Sequence, residues 1–63
     1  MPVIQVNVIK QPDIEKKKKL VAKLTDAMVD VYGVPREAVI VMLKEDEPEN
    51  VGLGGVLALE KLT

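Results

Sequence analysis

Two runs rich in valine and isoleucine, residues 3–9 and 39–43, flank a single helix-length segment, and that spacing leaves the chain few ways to fold. In the first run Ile4, Val6 and Val8 alternate with Gln5 and Asn7, the period of a strand with one covered face. In the second, Val39-Ile40-Val41-Met42-Leu43 is apolar at every position, which suits a parallel strand covered on both sides. Between them Gln11-Pro12 breaks the first strand, and Asp13 can accept from the free amides of a helix starting at Ile14. The helix is expected to run to about Tyr32, with Leu20, Leu24, Ala27 or Met28, and Val31 as its apolar stripe. Gly33 suits the positive φ past its carboxyl end, Pro35 confirms the stop, and Arg36-Glu37-Ala38 forms a short turn. Strand, helix and strand make a βαβ unit, and because such crossovers are right-handed in about 98% of cases the two strands are expected to be parallel neighbours.

One helix covers one face of a two-stranded sheet, so the other face needs a partner. The tail supplies little cover: Val51-Gly52-Leu53-Gly54-Gly55 reads as a glycine hinge, and Val56-Leu57-Ala58-Leu59 as the rest of a short hairpin or arm with no core of its own. A lone chain of 63 residues buries only about 60% of its unfolded surface, and this one has neither disulfide staples nor more than one aromatic residue. The expectation is a single α/β domain spanning 1–63 that exists as an obligate homo-oligomer, its arm packed on a neighbouring subunit.

The residue inventory excludes most familiar chemistry. The chain has no His, Cys or Ser, and Arg36 is its only arginine. Serine and thiol nucleophiles, an imidazole base and a thiolate or imidazole metal cage are all ruled out. Carboxylates, lysines, Thr25, Thr63, Tyr32 and the amino terminus remain. The stretch Glu45-Asp46-Glu47-Pro48-Glu49-Asn50 lacks the alternating ligands and central glycine of a calcium loop and reads as a solvated acidic loop, so no metal is expected. The glycine cluster lacks the lysine and Ser/Thr of a nucleotide-binding loop, and Lys16-Lys17-Lys18-Lys19 is read as a solvated charge run. With a net charge of −1 and no long apolar segment or signal peptide, neither nucleic acid nor a membrane is an expected partner, and the expected location is cytoplasmic.

One unusual base is left. Pro2 follows the initiator methionine, and removing Met1 would make it a prolyl terminus, a secondary amine free of amide resonance that can take up and release protons. In an apolar setting the charged form is disfavoured, which moves the pKa from the ordinary α-amino range of about 7.7 to 8.0 toward neutrality, where a proton shuttle works best.

The Pro2-Val3-Ile4-Gln5-Val6 strand, the helix of about 19 residues, the second apolar strand and the Asn50-Val51-Gly52-Leu53-Gly54-Gly55 stretch together resemble the 4-oxalocrotonate tautomerase family over nearly the whole chain. The resemblance implies a βαβ protomer paired into a four-stranded sheet and assembled as a homohexamer, a trimer of dimers. It implies a cofactor-independent isomerase in which Pro2 is the general base, moving a proton on a small carbonyl or enol substrate such as a 2-oxo acid. It also implies departures. Family members acting on dicarboxylates carry an arginine just after strand one, where this chain has Pro12 beside Gln11, and another early in strand two, where it has Ile40. An aromatic residue commonly precedes the glycine turn, where it has Val51. Pro2, Ile40 and Val51 would thus line a more apolar pocket suited to a less charged carbonyl compound, with Lys10 or Arg36 as possible replacement cations. The alternative is a structural or binding oligomer that kept the fold, with Pro2 merely starting a strand.

Overall fold

The computed structural model describes residues 1–61. Strand β1 (Val3–Ile9) leads into helix α1 (Ile14–Tyr32), a short 3-10 turn (Arg36–Ala38), strand β2 (Ile40–Asp46), a second 3-10 turn (Pro48–Asn50), strands β3 (Gly52–Leu53) and β4 (Val56–Leu57), and a final helical turn α2 (Ala58–Lys61). The expected βαβ unit with parallel strands and a C-terminal hairpin is therefore present. Thr63, one of the candidate hydroxyls, lies outside the described residues.

The helix bounds follow from local chemistry. The Asp13 carboxylate accepts from the backbone N–H of Glu15 at 3.0 Å and of Lys16 at 3.4 Å, satisfying two of the four amides that a helix start leaves free. At the other end Gly33 adopts φ 69°, and its N–H donates to the Val29 carbonyl at 2.9 Å, the left-handed stop that a residue without Cβ adopts most cheaply.

Pairing of β1 with β2 is parallel, from Val3 opposite Ile40 to Ile9 opposite Asp46. The second strand is longer than the apolar run that announces it. It starts at Ile40 and continues through Lys44, Glu45 and Asp46, because their backbone groups find partners along β1 and the Lys10 N–H extends the ladder to the Asp46 carbonyl at 2.9 Å. Backbone pairing overrides the poor strand propensity of those three residues.

The helix also lies on the sheet at a different rotation from the expected one. Val21, Leu24 and Met28 are half-buried and Thr25 is buried, whereas Leu20 is 36% and Val31 74% exposed. Thr25 can occupy this buried place because its hydroxyl donates to the Val21 carbonyl at 2.8 Å, which removes the cost of an unpaired polar group. Val31 is not idle surface: with Ile4, Leu24, Ala27, Met28 and Tyr32 it lines an apolar groove of about 340 Å³ where α1 meets β1.

The sheet has one face under α1, where Ile4, Val6, Val8, Val41 and Leu43 are half-buried, and one open face, where Val3, Ile40 and Met42 stay exposed. Beyond β2 the chain forms the arm. Gly54 (φ 59°) and Gly55 (φ 84°) make the two-residue turn of a tight hairpin, a mirror-image turn that needs positive φ at both positions. The Ala58 N–H then donates to the Val51 carbonyl at 2.7 Å, and Ala58 is buried where the arm packs on the Pro48–Asn50 turn.

In consequence the protomer is elongated, 41 × 23 × 15 Å with a radius of gyration of 14.6 Å, where a compact chain of this length would have about 11 Å. Among the described residues only Ala58 and Thr25 are buried. Two apolar surfaces, the open sheet face and the groove between α1 and β1, lack cover within one chain. Sedimentation should find a species several times the 6.9 kDa protomer, and Met42→Lys or Val31→Lys should shift it toward smaller species. A wild-type protein sedimenting as a folded monomer would contradict this.

Candidate active site

Pro2 sits immediately before β1, and its carbonyl accepts from the Ile40 N–H at 3.0 Å, a bond that fixes the amino terminus against the first residue of β2. This contact follows from the parallel crossover, which brings the starts of both strands to the same end of the sheet. Pro2 is half-buried and Met1 is 90% exposed. With Met1 attached, the Pro2 nitrogen is an amide without basicity. Cleavage converts it to a secondary amine at the same place.

The surroundings of that amine are apolar along the open face. Val3 and Ile40 are register partners, Met42 pairs with Gln5, and Lys44, opposite Asn7, is the nearest charged side chain along this face of β2. Four residues of strand separate it from Ile40, about 13 Å. The two cations named from the sequence as possible arginine replacements are engaged elsewhere. Arg36 forms an ion pair with Asp26 of α1, and Lys10 pairs with Glu47 at 3.1 Å beyond the far end of the sheet.

Of the three residues assigned to a pocket from the sequence, the structure brings Pro2 and Ile40 together and leaves Val51 apart. β2 carries the chain about 20 Å from Pro2 before the Pro48–Asn50 turn begins, and Val51 follows that turn, bound to the arm through Ala58. Among the described residues no group of three or more acidic side chains is arranged to hold a metal ion.

The far end of the sheet holds a polar cluster that the sequence reading missed. Glu45 and Asp46 belong to β2 and not to a solvated loop. The Glu45 carboxylate accepts from the Gln11 N–H at 2.8 Å and from the Lys17 ammonium at 2.6 Å. Lys17 is correspondingly half-buried, so the solvated reading of the lysine run fails at this one residue. Its neighbour Lys18 stays exposed, with Glu15 at 3.6 Å. The clue was strand parity. Glu45 shares a face with Val41 and Leu43, and that face looks at α1, where Lys17 precedes Val21 by one turn.

The hydrogen bond from the Gln11 amide, followed by the one from Lys17, holds the Glu45 carboxyl below the usual carboxylate range, with partial burial acting weakly in the opposite sense.

The family described as tautomerase enzyme matches residues 2–59. A probable tautomerase of Ralstonia nicotianae is 41% identical over 56 residues, covering 89% of this chain and 80% of that one. The 2-hydroxymuconate tautomerase of Comamonas testosteroni is 35% identical over 60 residues, 95% of each chain. Among solved structures, a 4-oxalocrotonate tautomerase homologue of the tomaymycin biosynthetic pathway superposes with a TM-score of 0.89 at 31% identity, covering 97% of this chain and 94% of that one.

Because the folded-state pKa of Glu45 lies below its unfolded value, its contribution to stability is complete above the unfolded pKa of about 4.3 and is lost as the pH falls through the folded pKa. Acid titration of unfolding midpoints should therefore show a decline in this window that is smaller in Glu45→Gln. An identical acid limb in wild type and variant would show that the Gln11 and Lys17 contacts do not form in solution.

Proposed function

The chain belongs to the tautomerase family, and from that membership we propose that the amine freed at Pro2 by removal of Met1 is the general base of its isomerase chemistry. The single observation supporting this most strongly is the fixed position of Pro2, held by the Ile40 N–H at the apolar end of the sheet, in a chain without histidine, cysteine or serine.

The step balances without a cofactor. The neutral amine takes the hydroxyl proton of an enol, the oxygen lone pair closes the carbonyl, and the C=C electron pair accepts a proton at carbon from the prolyl ammonium. Because the amine must be neutral to begin and protonated to finish, its pKa needs to lie near the working pH. Val3, Ile40 and Met42 on the adjoining face favour the neutral form.

The same face shapes the substrate. With Ile40 where a guanidinium would bind a carboxylate, and with Arg36 and Lys10 paired to their own carboxylates, nothing beside Pro2 rewards a second negative charge. The substrate class is a small enol or 2-oxo acid carrying at most one carboxylate. Val51 enters this pocket from a neighbouring subunit. Within one chain Val51 lies far from Pro2, and the uncovered sheet face and helix groove provide two different surfaces for association. The assembly that uses both is a homohexamer built as a trimer of dimers, and the location is cytoplasmic.

With processed protein confirmed by intact mass, Pro2→Ala should lower kcat/KM toward phenylenolpyruvate by at least about 10²-fold, the usual size of a general-base contribution. Unchanged turnover would remove Pro2 from the reaction. Ile40→Arg should raise kcat/KM for a dicarboxylate enol by about tenfold, the worth of one charge-assisted hydrogen bond, while leaving a monocarboxylate enol little changed. An equal gain for both substrates would place Ile40 away from the distal carboxylate.

A further inference from the structure

Between the end of α1 and the start of β2 the chain has few anchors. Pro35 fixes φ at −61°, and the Arg36–Ala38 turn is closed by its own backbone, from the Ala38 N–H to the Pro35 carbonyl at 3.0 Å and from the Val39 N–H to the Arg36 carbonyl at 3.2 Å. One side-chain bond reaches outside the segment. The Arg36 guanidinium donates to the Asp26 carboxylate on α1, the only side-chain hydrogen bond of residues 33–39 among the described residues. Arg36 also lines, with Val21, Ala22, Thr25 and Val39, the groove between α1 and the turn.

Resting on Pro2 as the base, we propose that Arg36 is its positioning residue: the tie to Asp26 holds the turn on α1, and the turn places the Ile40 N–H that binds the Pro2 carbonyl. The route is short. Ile40 begins β2 directly after Val39, and its N–H makes the outermost bond of the ladder at this end, 3.0 Å from the Pro2 oxygen. Bonds at fraying ends open with free energies near zero, unlike those inside a sheet. An exposed ion pair moves an equilibrium by at most about fivefold, which is negligible for the whole fold. At a bond near balance the same factor decides what fraction of molecules hold Pro2 in place.

The chain's sole arginine thereby has a task other than meeting a substrate. Asp26 lies on α1 and Arg36 on the turn, so their ion pair joins two elements, whereas the comparably exposed Lys18–Glu15 pair spans one turn of α1 and joins nothing outside it. Val39 adds an apolar anchor beside Arg36, half-buried in the same groove, but apolar contact is not directional. The guanidinium supplies the direction.

The test compares amide hydrogen exchange at Ile40 with exchange at Lys10, whose N–H closes the opposite end of the ladder on the Asp46 carbonyl, in the processed full chain. Arg36→Met keeps a long apolar side chain and removes the charge. It should speed exchange at Ile40 by up to about fivefold and leave Lys10 unchanged. Asp26→Ala should do the same, and the double variant no more, because both remove one interaction. Arg36→Lys should keep most of the protection, since the tie is a single Nη1 to Oδ1 contact, while Lys18→Met should change neither amide. In Arg36→Met kcat/KM for phenylenolpyruvate should fall by about twofold to fivefold, following the lost closed population. Exchange is read without substrate, so a failed tie and a failed base are separate results: the first leaves Ile40 exchange unchanged, the second leaves Pro2→Ala turnover unchanged. Unchanged Ile40 exchange in Arg36→Met, equal acceleration at Ile40 and Lys10, or faster Ile40 exchange with undiminished kcat/KM would each overturn the proposal.

Discussion

Everything in this protomer depends on the parallel pairing of β1 with β2. A crossover through α1 sets the two strands side by side in the same direction, and the bond from the Ile40 N–H to the Pro2 carbonyl closes the ladder at the amino end. Without it Pro2 would be a loose terminus. With it, a residue that ordinarily frays is held at a defined point on a mostly apolar face, which is the first requirement of a positioned base.

The same economy leaves the fold unfinished. A single helix can cover one side of two strands, and the arm turns away from the sheet to pack on its own preceding turn. The result is an extended protomer whose apolar faces outnumber its means of covering them. In the proposed function assembly and chemistry are tied together, since within one chain Val51 lies about 20 Å from Pro2.

Much of this was legible in the residues, because it is written in local chemistry. The bounds of α1 follow from Asp13 and Gly33, and the alternation of Ile4, Val6 and Val8 marks the covered face of β1. What the residues concealed were long-range compensations. Lys44-Glu45-Asp46 looks like a loop until β1 supplies its ladder partners, and Thr25 looks too polar for the helix's inner face until its hydroxyl finds the Val21 carbonyl. The pairing of Lys17 with Glu45 spans 28 positions and depends on both elements being correctly faced. At the candidate site, the adjacency of Pro2 and Ile40 was implied by the crossover. The separation of Val51 was not, because where the arm travels is decided by the glycine turn and by surfaces beyond one chain.

The chemistry reduces to a question of solvation at one nitrogen. On the proposed reading, an amine beside Val3, Ile40 and Met42, with Arg36 and Lys10 committed elsewhere, is disfavoured in its charged form once assembly covers this open face. The most direct measurement is an NMR pH titration of the Pro2 nitrogen in processed protein labelled with ¹⁵N. The account predicts a pKa clearly below the ordinary α-amino range of about 7.7 to 8.0. A value within or above that range would contradict it, because the terminal amine would then be an ordinary solvated cation at neutral pH.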